Sequence, residues 1–98
     1  MDHEHAAEIA WTPEHVQAGL PALFEMIEPA WFFADPPGAE GWSLVCRFAA
    51  PPVELGSPSA ARVRFRAEGA PSERLVPGVV LRLFERSTRQ HATVLFLD

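Results

Sequence analysis

Apolar and polar residues alternate along two stretches in the second half of the chain. Between Trp42 and Phe48, and again between Arg62 and Ala67, apolar side chains occupy every second position. Successive side chains of a β-strand point to opposite faces, so a period of two predicts strands that bury one face. In the second stretch the apolar face holds Val63, Phe65 and Ala67, and the other face holds Arg62, Arg64 and Arg66.

The last 24 residues carry the pattern of a β-hairpin. Val76-Pro77-Gly78-Val79 suits a type II turn, in which Pro sets the first central angle and Gly takes the positive one. Residues 79–85 and 92–97 then predict an antiparallel pair. Both segments are apolar on both faces, so we expect them in the middle of a sheet or a closed barrel with a cover on each side.

The N-terminal third shows a helical spacing instead. Thr12-Pro13-Glu14 is a helix-start signal, and apolar residues follow at intervals of three and four, interrupted by Gly19 and Pro21. We therefore predict a kinked helix or two helical pieces over 12–29, preceded by a flexible acidic tail over 1–11. The apolar stripe expected to face the core comprises Val16, Leu20, Leu23, Phe24 and Ile27.

These elements predict one mainly β domain of 98 residues: a small antiparallel barrel over 31–98 with a short N-terminal helical segment. The segment 49–60 is rich in proline, glycine and serine and is expected to be a connector. The helical segment is the expected cover for the final hairpin. Five aromatic residues are expected in the core: Trp11, Trp31, Phe32, Phe33 and Trp42.

Charge is divided between the two parts of the chain. Residues 1–41 contain eight acidic residues and no Lys or Arg, whereas residues 42–98 contain all eight arginines and five acidic residues. Such a division indicates either an acidic segment that pairs with a basic sheet or a basic surface used for a partner. The net charge of −5 disfavours general affinity for nucleic acid.

The order of motifs in 42–98 resembles the C-terminal barrel domain of elongation factor Tu and related translational GTPases. Pro58, Val63, Phe65 and Arg66 match the family's R-P-x-F-x-F-R-type strand, and Leu83-Phe84-Glu85 matches the end of a later one. The resemblance implies a six-stranded antiparallel barrel, used in the family as a docking surface for the GTPase domain and for transfer RNA.

The chain departs from that family at several glycines. Arg86 and Ser87 stand after the matching Glu, and His91 and Thr93 stand in the final strand, where the family has glycines that permit tight geometry. The phosphate-binding pattern G-x-x-x-x-G-K-[ST] does not occur in the sequence, which excludes GTP hydrolysis by that motif.

Candidate catalytic and metal-binding residues are few. Cys46 with His91 as base is the one nucleophilic pair that we consider, but Cys46 shares a face with apolar residues and is expected to be a buried, inert thiol. An N-terminal group could supply metal ligands, although a tail lacks the rigidity that a site needs. Its members are His3, Glu4, His5, Glu8 and His15. We predict no cofactor and no resident metal.

The sequence favours a non-catalytic protein-binding or regulatory module in the cytoplasm, without a membrane segment. RNA binding through the arginine face is the first alternative, and a small enzyme using Cys46 and His91 is the second. A second copy of the chain is a further candidate partner, because small aromatic-rich domains often dimerise. The candidate binding residues are Arg62, Arg64, Arg66, Arg86 and Arg89.

Overall fold

Six antiparallel strands form a closed barrel. The computed structural model describes residues 3–36, 38–85 and 89–98. The strands are β1 His5–Trp11, β2 Glu25–Phe32, β3 Trp42–Arg47, β4 Ser59–Phe65, β5 Val80–Glu85 and β6 Arg89–Phe96. Around the barrel they follow the order β1-β4-β3-β2-β5-β6, and β6 pairs with β1 to close it. The predicted mainly β fold and antiparallel barrel are confirmed.

Short helical elements occupy three of the connections. They are α1 Pro13–Ala18, α2 Pro52–Leu55 and the 3₁₀ turn η1 Ser72–Arg74. Within the described ranges, no helix has the length and apolar character needed to span a bilayer.

The core fills the inside of the barrel. Every strand places alternate side chains inward, so one contiguous cluster collects residues from all six strands. Its largest fully buried members are Ile9, Leu44, Val63, Leu81, Leu83, Val94 and Phe96. Burial of this apolar surface is the main favourable term for the fold.

The prediction of a flexible tail over 1–11 is wrong for residues 5–11, which form β1. This strand pairs with β4 on one side and with β6 on the other. Ala7, Ile9 and Trp11 point into the core and are buried. The barrel therefore begins at residue 5, before the predicted start at residue 31.

The predicted helical segment over 12–29 is also corrected. Thr12 caps α1 by accepting a bond from the His15 backbone N–H, and the helix ends at Gly19, whose φ is +105°. The chain then enters β2 at Glu25, and the inward positions become Met26, Ala30 and Phe32. Of the predicted apolar stripe, only Leu20 packs against the core.

The antiparallel pairing of the C-terminal hairpin is confirmed, although its second strand begins at Arg89, three residues before the predicted start. The Val79 backbone N–H donates to the Val76 carbonyl over 3.1 Å, and Gly78 has a φ of +89°, as a type II turn requires. The helical segment does not cover the face of the hairpin as expected, because α1 lies at the end of the barrel near Glu85 and Arg89. The outward Leu95 of the hairpin consequently stays exposed.

The aromatic residues divide according to the strand faces. Trp11 and Phe32 are buried, and Trp31 and Trp42 are half-buried. Phe33 contradicts the expectation of a core position, since its side chain is 55% exposed. Phe32 takes the inward position at the end of β2, so Phe33 faces outward, where the Arg82 guanidinium lies 4.3 Å from its ring centroid.

Candidate functional site

Four arginines follow the outer face of β3 and β4, and we call Arg47, Arg62, Arg64 and Arg66 the arginine row. On β4 the buried residues alternate with exposed or half-buried ones, which turns Arg62 and Arg64 outward. Arg62 lies opposite Arg47 in the register of the two strands, and the Arg66 backbone N–H donates to the Ser43 carbonyl over 2.9 Å. The barrel thus holds Arg47, Arg62 and Arg64 on two paired strands, and Arg66 directly follows β4.

Glu4, the residue before β1, partly neutralises the upper end of the row, which holds Arg47 and Arg62. Glu4 accepts a hydrogen bond from the Arg47 guanidinium at 2.9 Å, and its carbonyl oxygen lies 3.4 Å from the Arg62 guanidinium. The Arg64 guanidinium donates to the Phe65 carbonyl at 3.3 Å. Arg66, at the lower end, has no carboxylate partner among the residues described.

The division of charge along the sequence reappears as ion pairs across the fold. Within the described part of the chain, three pairs each join an acid from residues 1–41 to an arginine from residues 42–98, as the first interpretation of the charge pattern expects. The pairs are Glu4–Arg47, Asp35–Arg74 and Glu14–Arg89. The Arg74 side chain also holds the pKa of Asp35 below its usual range, chiefly by hydrogen bonding.

The five predicted binding arginines do not form one surface. Arg62, Arg64 and Arg66 lie together, but Arg89 begins β6 and pairs with Glu14 of α1. Arg86 lies outside the described residues. The sequence did not single out Arg47 as a principal member, although the alternation from Trp42 already places it at a polar position.

An exposed apolar patch lies beside the row, and we define it as Leu23, Phe24, Ile27, Val53 and Leu55. Two backbone bonds hold its segments together: the Phe48 N–H donates to the Phe24 carbonyl at 2.8 Å, and the Val53 N–H donates to the Pro21 carbonyl at 3.0 Å. Ile27 connects the patch to the row, because it pairs with Val45 on β3, which pairs with Arg64 on β4. Three of these residues belong to the predicted helical stripe, so the sequence pattern does not reveal this surface.

The lower end of the row opens into a groove of about 470 Å³. Its lining includes His3 and His5 at the start of β1 and Arg64 and Arg66 at the end of β4. The connection that contains η1 contributes Glu68, Ser72 and Glu73.

The end of the barrel near α1 gathers titratable groups. The rings of His15 and His91 lie 5.2 Å apart, and His15 Nε2 lies 3.6 Å from a Glu85 carboxylate oxygen. Burial, followed by the charge of Glu85, raises the pKa of Glu28. Burial, followed by the charge of His15, lowers the pKa of His91, and Glu85 opposes this shift. His91 Nε2 is buried and has no hydrogen-bond partner among the residues that the structure describes.

We expect acidification to destabilise the protein through His91. Its ordinary pKa is 6.5 and the folded value is lower, so between those two values the unfolded chain binds more protons. The free energy of unfolding should therefore fall as the pH drops through this window. Urea denaturation of wild type and His91→Gln between pH 7.5 and 5 should show a weaker pH dependence in the variant.

The exposed His3 provides the control for that measurement. His3→Gln should keep the wild-type pH dependence. Equal slopes in wild type and His91→Gln would show that His91 does not produce the effect.

The second alternative, catalysis by Cys46 and His91, gains no support from the geometry. Cys46 points into the barrel with none of its surface exposed. Burial, with a smaller effect of the Glu28 charge, raises the pKa of the thiol far above its ordinary range. Since the thiolate is the nucleophile, this cysteine is inert while the barrel is folded.

Iodoacetamide labelling tests that conclusion. The native protein should incorporate label at least about 100-fold more slowly than the urea-unfolded chain, because opening of the core must precede reaction. Equal rates in the two states would restore Cys46 as a candidate nucleophile.

The described residues contain no group of three His, Cys, Asp or Glu side chains that could hold a metal ion. His3 and His5 contact each other with ring centroids 4.5 Å apart, but Glu4 pairs with Arg47, and His15 lies at the other end of the barrel. Comparisons with protein families, curated proteins and solved structures found no match to this chain.

Proposed function

We propose that this protein is a non-catalytic protein-binding module that receives an extended, acidic segment of a partner along the arginine row. The observation that carries the proposal is the continuous outer surface of β2, β3 and β4, on which outward arginines adjoin exposed apolar side chains. Interfaces favour arginine together with large apolar residues, because such groups bind tightly when they are desolvated.

The spacing of the row suits a peptide in an extended conformation. Side chains on alternate residues of β4 lie about 7 Å apart, and alternate side chains of an extended partner have the same separation. Acidic residues at every second position could therefore each meet one guanidinium. Carboxylates and guanidinium groups form charge-assisted hydrogen bonds, which also fix the register of the partner.

The same row could contact phosphates, but the local charge favours a protein. Glu4 lies within the row, and the chain has a net charge of −5, so a nucleic acid would meet repulsion that a mixed acidic and apolar segment can avoid. The apolar patch also offers contacts that a phosphate backbone cannot use. RNA is therefore the alternative partner against which the proposal is tested.

The resemblance to the C-terminal barrel of elongation factor Tu-like proteins supports this proposal. In that family the barrel serves as a docking surface, and the present chain has a closed six-stranded antiparallel barrel. A docking barrel in the cytoplasm is the role that we infer.

Peptide display tests the proposal and does not require that the partner be identified first. Selection from a random library should enrich peptides with acidic residues at alternate positions next to apolar ones. The triple variant Arg62→Glu, Arg64→Glu, Arg66→Glu should bind the selected peptides roughly 100-fold more weakly in a fluorescence anisotropy titration. Arg82→Glu, on the outer face of β5, is the control and should bind nearly as wild type does.

Two outcomes would contradict the proposal. One is a selection without acidic enrichment, or peptides that bind wild type and the triple variant equally. The other is a single-stranded RNA oligonucleotide that binds the row more tightly than any selected peptide, with the steep salt dependence of phosphate contacts.

A further inference from the structure

Side chains of both charges line the groove at the lower end of the arginine row. Arg64 on β4 and Arg66 just after it supply the positive charges, and Glu68 and Glu73 from the connection around η1 supply the negative ones. Glu68 and Glu73 are exposed, and neither forms a salt bridge with an arginine among the described residues, although the charge of Glu73 also acts on the neighbouring Arg74. Two acids beside an arginine row are unfavourable for a partner that is acidic throughout its length.

This groove is continuous with the surface of the row. A second depression, lined by Glu4, Arg47 and Arg62, shares His3 and Arg64 with it. The stretch from Arg62 to Arg66 spans about 13 Å of strand, so an extended segment of four to six residues covers the row and reaches the groove.

We propose that the groove accepts a basic side chain of the partner between Glu68 and Glu73, next to the acidic residues that contact the row. This inference rests on the proposed function and makes it more specific. The partner is a mixed-charge segment, with acids at alternate positions followed at one end by Lys or Arg. A segment with the basic residue opposite Arg62 would place like charges together, so the groove also fixes the direction in which the partner binds.

The remaining polar groups of the groove are compatible with that arrangement. Ser72 of η1 supplies a hydroxyl, and a basic side chain that lies along the exposed Ala67 can keep its aliphatic stem on an apolar surface. Asp98 adds a carboxylate near this end, 3.8 Å from His5 Nδ1.

Matched peptides provide the test. Two pairs of peptides carry the same alternating acidic core. One pair has Lys or Gln at the N-terminal end, and the other pair has Lys or Gln at the C-terminal end. In one of the two pairs, wild type should bind the Lys peptide about fivefold more tightly than the Gln peptide. The advantage should disappear in the double variant Glu68→Gln, Glu73→Gln, and it should persist in the double variant Glu40→Gln, Glu54→Gln, which removes the same charge from positions outside the groove.

The outcomes separate this inference from the proposed function. If the Gln peptides bind the row and Lys does not raise the affinity, the groove does not select a basic residue. The same conclusion follows if Lys raises the affinity equally for wild type and both double variants. If none of the peptides binds wild type, the proposed function itself fails, and this inference fails with it.

Discussion

Replacing Ile9 by Ala should lower the free energy of unfolding by about 2–5 kcal/mol, the range for large-to-small substitutions in a core. Ile9 is completely buried on β1, between β4 and β6. The substitution removes apolar contacts and leaves a cavity in the barrel interior. Urea denaturation followed by tryptophan fluorescence would measure the loss.

The chain contains a matched control, because its other isoleucine faces outward. Ile27 on β2 is 44% exposed, so Ile27→Ala should cost less than about 1 kcal/mol. If both substitutions had the same small effect, residues 5–11 would not be a strand of the barrel, and the assignment of β1 would be wrong.

Replacing Gly41 by Ala is the second large change that we expect, with a loss of about 1–3 kcal/mol. A Cβ at this position would overlap the Trp31 ring. The ring cannot move freely, because its Nε1–H donates to the Ala39 carbonyl at 2.9 Å and it meets the Phe84 ring edge-on at 5.0 Å. The same denaturation measurement applies.

Gly69 provides the control for this overpacking. A Cβ there would meet no atom within 4 Å, so Gly69→Ala should change the stability little. In a Trp31→Leu background, which removes the indole, Gly41→Ala should lose most of its effect. A cost that persists in this background would show that the contact with Trp31 is not the cause.

The sequence is sufficient for the strands with a strict period of two and for the final turn. β3 and β4 follow the alternation from Trp42 and from Arg62, and the Pro-Gly turn precedes β5 as the sequence predicts. In these segments local preference and tertiary packing favour the same structure. That agreement is what allows a pattern to be interpreted from the sequence alone.

The sequence pattern does not predict β1 and β2 as strands, and the reasons can be identified. β1 buries alanine at one of its inward positions, and alanine gives a weak apolar signal for a strand. β2 begins within a run that also fits the helical spacing, and it contains Pro29, which argues against a central strand. The observed pairing of β2 with β5 starts only at Ala30, so the proline lies where that ladder ends and its missing N–H is tolerated.

The candidate surface is predictable only in part. Alternation places Arg62, Arg64 and Arg66 on one face, but the contribution of Glu4 depends on β1, which the sequence pattern does not predict as a strand. The apolar patch and the groove each combine segments that are distant in sequence. Closure of the barrel brings these segments together, and no local sequence pattern predicts that they become neighbours.

The most direct test of the docking surface is an NMR titration of the ¹⁵N-labelled protein with a peptide obtained by the display selection. Amide shift changes should concentrate on Ser43–Arg47 and on Arg62–Arg66, and they should vanish in the triple arginine-to-glutamate variant. Changes concentrated on the outer face of β5 and β6, around Arg82 and Leu95, would contradict the assignment of the arginine row as the binding surface.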